Sequence, residues 1–151
     1  MKKKRLDIEY TFDFDLYGII ATMKPYKMAW EINRCLNINL VKSYDYEVMH
    51  KNKSLSNYLH YAQSTAHNLI KLFRNKPIEE NEERNLLLPE LPHFDFILLA
   101  RGEAYADNNR LQELLKNIPS VELVAFIPLT ALKSKEHFIF WPGCHERVLL
   151  T

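Results

Sequence analysis

Glu90, His93 and Asp95 stand within six residues of one another. Two carboxylates flanking an imidazole could supply a general base, a general acid or a pair of metal ligands. Strand geometry argues against their acting together. Residues an odd number apart on an extended segment project from opposite faces, so Glu90 and Asp95 diverge. His93 shares a face with Asp95 only if the strand already runs through Leu91 and Pro92. A pair of structural carboxylates with a surface histidine is the preferred reading, and no catalytic residue is assigned. Cys144-His145 puts a thiol beside an imidazole, but Cys–His catalysis is assembled from distant segments rather than from adjacent side chains. His60 and His67 lie seven apart with no carboxylate at ligand spacing, while His50 and His137 stand isolated. Neither a metal nor another cofactor is expected. Lys133, Ser134 and Lys135 offer two cations and a hydroxyl that could hold a phosphate, a nucleotide or an RNA backbone. A solvated surface turn accounts for the same three residues, and no nearby glycine supplies a backbone nest.

Composition narrows the classes further. The 151 residues carry 20 Lys and Arg against 19 Asp and Glu, so no long-range field gathers polyanions and a nucleic-acid role would need a local patch. Lys2, Lys3, Lys4 and Arg5 form the one dense basic run and read as a solvated, disordered arm. No apolar stretch has the length of a signal peptide or of a membrane span of ~20 residues, which points to the cytoplasm. Cys35 and Cys144 lack CxxC spacing and read as free thiols. A chain of this length buries about 70% of the surface its unfolded form exposes, enough for one core without staples.

The elements that must position these residues follow from periodicity. Leu6, Ile8, Tyr10, Phe12, Phe14 and Leu16 alternate with polar residues, a strand that Gly18 to Ala21 continues past a bulge. Pro25 opens a helix carrying Met28, Ala29, Ile32, Cys35 and Leu36, which Asn37 ends. Ile38 to Met49 reads as one strand, and Lys51 to Ser54 as a turn. Between Leu55 and Asn75, the residues Tyr58, Ala62, Ala66, Leu69, Ile70 and Phe73 fit a helical stripe, while Gln63 to His67 fits a hairpin turn. Asn75-Lys76-Pro77 stops that element, and Glu79 to Arg84 is a charged, mobile surface loop. Phe94 to Ala100 is apolar on both faces after Asp95, as the middle strand of a sheet would be. Asp107 caps a helix bearing Leu111, Leu114, Leu115 and Ile118, and Val121 to Ile127 forms a last strand that Pro128 closes. The expected architecture is a single α+β domain over residues 1–151, with residues 1–5 as the arm and 141–151 as a tail. It is a two-layer sandwich with a largely antiparallel sheet and both helices on one face. The opposite face, rich in aromatics such as Tyr44, Tyr46, Tyr58 and Tyr61, should be wet or used for association.

Leu88-Pro89-Glu90, three residues, then Phe94-Asp95-Phe96 resembles the signature of a bacterial family, Ile-Pro-Glu, three variable residues, Val-Asp-Tyr. Asp13-Phe14 with Gly18-Ile19, Ala29-Trp30 with Ile32-Asn33, Asn75-Lys76, Leu132-Lys133-Ser134-Lys135 and Phe138-Ile139-Phe140 resemble the same family in the same order. The chain is thus similar to the IPExxxVDY family from about Asp7 to Phe140. That resemblance implies two strands within 55–75 and marks Pro89, Glu90, Asp95, Lys133, Ser134 and Lys135 as the candidate motif residues. It brings no activity, because the family is uncharacterised. Its members are encoded beside genes for ribonuclease III and pyruvate kinase, which implies a housekeeping setting. Leu88, Phe94 and Phe96 keep the apolar bulk of the family residues and lose only the tyrosine hydroxyl, which argues against a catalytic phenol. Pro89 suits a strand entrance, and Glu90 and Asp95 can accept hydrogen bonds. Trp141 to Glu146 lies beyond the resemblance.

The leading expectation is a non-enzymatic cytoplasmic protein that forms a homodimer or binds a protein partner, without contact to a membrane. The rivals are an RNA or nucleotide binder using Lys133 and Lys135 with the Lys2 to Arg5 arm, and an enzyme using Glu90, Asp95 and His93.

Overall fold

The computed structural model describes residues 14–50, 53–78 and 85–138. Its main sheet has six antiparallel strands in the order β2-β5-β6-β7-β1-β8. These are β1 (Asp15–Ala21), β2 (Val41–Lys42), β5 (His60–Ser64), β6 (Leu69–Arg74), β7 (Phe96–Arg101) and β8 (Val121–Ile127). A separate hairpin joins β3 (Tyr46–Met49) to β4 (Leu55–Tyr58). The helices are α1 (Pro25–Leu36) and α2 (Asn108–Lys116). The fold is α+β and mostly sheet, as the alternation implied. The basic arm, most of the 6–16 alternation, the 79–84 loop and the 141–151 tail lie outside the described residues.

Local chemistry fixes the helix ends. Pro25 occupies the first turn of α1, where a missing N–H costs nothing. Asn37 closes it in the left-handed region at φ 58°. Asn33 then holds the exit, its Oδ1 accepting from Leu40 N at 2.6 Å and its Nδ2 donating to Leu40 O at 3.1 Å. In α2 the Asp107 carboxylate accepts from Arg110 N at 3.1 Å, the expected cap.

Three expectations are corrected. The stretch 38–49 is not one strand. It leaves the main sheet after Lys42, where Ser43 N donates to His60 O, and reappears as β3 paired with β4. The stretch 55–75 contains no helix and three strands rather than two, because the chain crosses at Leu59 from the small hairpin to the main sheet. The Gln63 to His67 turn is real, closed by Thr65 N donating to Asn68 O. The bulge expected in the first strand lies instead on β8: consecutive Ile20 and Ala21 face Leu123 and Val121, so the additional residue is Glu122.

Strand alternation sorts the core onto two sides of the sheet. On one side Tyr17, Ile19, Ile70, Leu72, Phe96, Leu98 and Val124 meet Met28, Ile32, Leu111 and Leu115 of the two helices. On the other, Leu16, Leu69, Phe73, Ile97, Leu99 and Ile127 are covered by Val48 and Tyr58 of the hairpin and by Leu87, Leu88, Phe94, Leu132 and Phe138 of the connecting segments. The second side is therefore neither wet nor free for association. Apolar residues at both parities of β6, β7 and β1 require a cover on each face. The tyrosines expected on an open face are structural. Tyr58 is fully buried, Tyr46 packs on Phe73 at 4.9 Å, Tyr44 meets His60 at 6.3 Å, and Tyr61 packs on the helix side.

Candidate functional site

The residues singled out by spacing converge at one end of the sheet, where β6 and β7 meet β1, and they converge on backbone. Asn75, fully buried just past β6, is the hub. Its Nδ2 donates to Leu91 O at 3.1 Å and Phe94 O at 2.9 Å, its Oδ1 accepts from Leu88 N at 2.9 Å, and its N–H donates to Asp95 O at 3.0 Å. The segment from Leu88 to Asp95 is thereby folded around one amide. Asp95 accepts from Ala21 N at 3.0 Å through Oδ2, fixing the end of β1 that lies opposite the bulge of β8. Gly18 leaves room for the Phe94 ring, since a Cβ there would lie 2.5 Å from it.

Glu90 closes a second clamp across 43 positions of sequence. Its Oε2 accepts from Lys133 N at 2.7 Å and Ser134 N at 2.9 Å, and its Oε1 from the Ser134 hydroxyl at 2.7 Å. Burial pushes this carboxyl's pKa up, but the Ser134 hydroxyl and the backbone N–H groups of Glu90, Ser134 and Lys133 outweigh it and leave the pKa below the ordinary value. The N–H groups of Lys133 and Ser134 are thus already bound to an internal anion. Pro89 and Lys133 are exposed, and Lys135 opens a one-turn 3-10 helix, Lys135–Phe138. His93 is exposed, with its ring 4.3 Å from that of Phe94. Residues 88–95 form turns rather than an extended strand, with Leu91 N donating to Leu88 O and Phe94 N to Leu91 O, so Pro89 stands at no strand entrance and strand parity does not govern Glu90 and Asp95. These two carboxylates share no hydrogen-bond partner, and the structure does not bring the three groups into one reactive constellation. Among the described residues no group of three or more His, Cys, Asp or Glu could hold a metal ion. Cys35 is a free thiol whose Sγ donates to Leu114 O at 2.9 Å. Cys144 and His145 lie outside the described residues.

No family model, curated protein or solved structure matches the chain. The site has to be read from its own geometry.

Two features escaped the sequence reading. The first is a buried polar cluster beneath the hairpin. His50 and His137, 87 positions apart, bring their rings to 5.2 Å. The Tyr58 hydroxyl donates to Asn85 O, so the 2.6 Å contact between His50 Nε2 and Tyr58 Oη is donated by the histidine. His137 Nδ1 donates to Leu87 O at 2.8 Å, and the Tyr46 hydroxyl donates to His137 O. Burial, with His137 adding to it, holds His50 below the ordinary histidine pKa. No local spacing announces this cluster, because its members meet only through tertiary structure.

The second feature is the edge of the main sheet formed by β8. Among the described residues β8 is hydrogen-bonded on one side only, to β1. Ile19 turns its carbonyl toward β7, where Asp95 N donates to it, so Leu16, Gly18 and Ile20 face β8. On β8 it is then Val124 and Phe126 whose N–H and C=O groups point away from the sheet, while Glu122 is the extra residue of the bulge. Leu123 is 44% and Phe126 37% exposed along this strand, whose single charge is Glu122. The opposite edge, β2, is two residues long and carries Lys42. Phe126 rests edge-on against the Tyr17 ring at 5.7 Å, and some other exposed apolar groups also have local neighbours. Lys27 and Arg34 lie over the Trp30 ring at 4.6 and 5.2 Å, and Met49 faces Leu55 across the hairpin.

Proposed function

We propose that the protein acts by association rather than by catalysis, with the open edge of β8 as its docking ladder. The observation that carries this reading is a seven-residue, largely apolar strand with one edge unpaired among the described residues. Edge strands are ordinarily blunted by shortness, lysines, prolines or central bulges, as β2 is by its length and Lys42. β8 has no lysine or proline within its span, and its bulge, at Glu122, lies next to one end, so an incoming strand would gain main-chain hydrogen bonds along the regular part of the strand while covering Leu123 and Phe126. The candidate motif residues support the same reading from the other side. Glu90, Asp95 and Ser134 are spent on holding backbone, and the donors at Lys133 and Ser134 face Glu90 rather than an external phosphate.

We also propose membership of the IPExxxVDY family, because the separated stretches that carry the resemblance, around Gly18, Asn75, Glu90 to Asp95 and Ser134, form one connected scaffold. A cytoplasmic location belongs to this proposal. It is supported by the free thiol of Cys35, and among the described residues no helix is long and apolar enough to cross a membrane.

The test compares the tagged chain with Leu123→Lys/Phe126→Lys in native cell extract. The wild-type chain should elute in a particle larger than the monomer, and the double variant, with unchanged circular dichroism, should elute as the monomer. A wild-type chain that elutes as the monomer in extract would overturn the reading.

A further inference from the structure

Resting on that association reading, we infer that the strand docked on β8 is the β8 of a second copy of this chain, antiparallel about a two-fold axis at Val124. A ladder edge is complementary to itself under such an axis, because each outward N–H meets an outward C=O of the identical strand. Among registers of this kind, the one centred on Val124 overlaps the whole of Val121–Ile127, since Val124 is its midpoint.

The side-chain pairing of that register is apolar at its centre. Val124 meets itself, Leu123 meets the partner's Ala125, and Glu122 meets the partner's Phe126. No like charges oppose one another, and the two exposed apolar side chains of the strand are covered. A two-residue slip, which centres the axis on Leu123 or Ala125, loses overlap, and a four-residue slip that puts Glu122 opposite its own copy also sets two carboxylates face to face, so length selects the register and charge excludes the larger slip. Pro119 and Pro128 flank the strand. Neither can donate to a ladder, so the pairing stops at both ends. The product is a closed dimer with one continuous twelve-stranded sheet rather than an open fibre, because β2 offers two residues and a lysine at the far edges.

The test uses the purified full-length chain. Light scattering across a concentration series should give twice the chain mass of 17.9 kDa, and Leu123→Lys/Phe126→Lys should return it to the single mass with its circular dichroism unchanged. Leu123 and Ala125 face β1 in their own sheet, which makes their cross-copy pairing non-hydrogen-bonded, the closer spacing. The variant Leu123→Cys/Ala125→Cys should therefore lock a covalent dimer under mild oxidation. Leu123→Cys alone should not, and neither should the wild-type chain with its native cysteines. A purified chain of single mass at every concentration would overturn the second-copy assignment. A larger particle in extract that the edge variant loses would leave the association reading standing. Cross-linking by Leu123→Cys alone would overturn the Val124 register.

Discussion

The two sides of the main sheet are built by different means. On the helix side, α1 and α2 lay apolar stripes on Tyr17, Ile19, Leu72 and Leu98, and the cover is held by area and by caps at Asp107 and Asn37. On the hairpin side the cover is mostly irregular chain, and a handful of polar side chains bind it. Asn75 gathers 88–95, Glu90 ties that segment to 133–134, and Tyr58 with His50 and His137 fastens the hairpin to the segments at Asn85 and Leu87. Regular elements satisfy their own backbone, so apolar contact is enough to dock them. Irregular segments must find partners for every buried N–H and C=O, and there a single amide can matter as much as a leucine.

That contrast can be broken first at its two strongest points. Leu115→Ala removes a fully buried side chain from the helix side and should cost about 2–5 kcal/mol by transfer and cavity terms. Asn75→Ala should cost about 3 kcal/mol although it deletes little apolar area, because it strands Leu88 N and the Phe94 carbonyl and leaves Leu91 O only the 3.4 Å bond from Phe94 N. Denaturant titration gives both numbers. Amide exchange separates them, with Asn75→Ala raising exchange in β3 and β4 while α1 and α2 stay protected. Equal exposure of both sides would erase the distinction.

Smaller effects sharpen it. Glu90→Gln should cost about 1 kcal/mol at neutral pH, since one charge-assisted acceptor is weakened. The carboxyl is held below its ordinary pKa, so its contribution is present above pH 4.5 and is lost as pH falls through the folded value. The variant should therefore show a flatter acid limb of stability against pH. Tyr17→Phe should do the reverse and stabilise by about 1 kcal/mol, because the Tyr17 hydroxyl is buried on the helix side with no partner among the described residues. A drop in the urea midpoint would show that it is satisfied in solution. The least effect comes from His50. Its folded pKa lies below 6.5, so below that pH the unfolded chain binds more protons and stability falls as pH decreases. His50→Gln should lose this slope in the window just under pH 6.5, measured by thermal melts at stepped pH.

The same division explains what could be read from sequence. α1, α2, β7 and β8 were legible because each carries its own period and its own punctuation at Pro25, Asn37, Asp107, Pro119 and Pro128. The segment after Leu55 was ambiguous because Ala62, Ala66, Leu69 and Ile70 satisfy a helical stripe, and only pairing with β7 decides for strands. The use of Glu90 and Asp95 as acceptors was legible, but their strand parity was not a guide, because 88–95 turns back on itself before β7 begins at Phe96. Their partners were not legible, since Lys133, Ser134 and Ala21 are remote in sequence. His50 and His137 looked isolated for the same reason. The open edge of β8 was invisible because strand order is a property of the whole chain, and Val121–Ile127 reads alike whether it is central or terminal.

Strand order has a further consequence for how the chain is made. β1 sits between β7 and β8, with Asp15 facing Ala100 and Leu16 facing Ile127. A growing chain at roughly 5–20 residues per second would hold Leu16, Tyr17, Ile19 and Ile20 without a ladder partner for roughly 5–20 s. β5 and β6 can meanwhile close on their local turn. Biogenesis thus begins in the middle of the sequence, and the segment synthesised early is among the last to find its place.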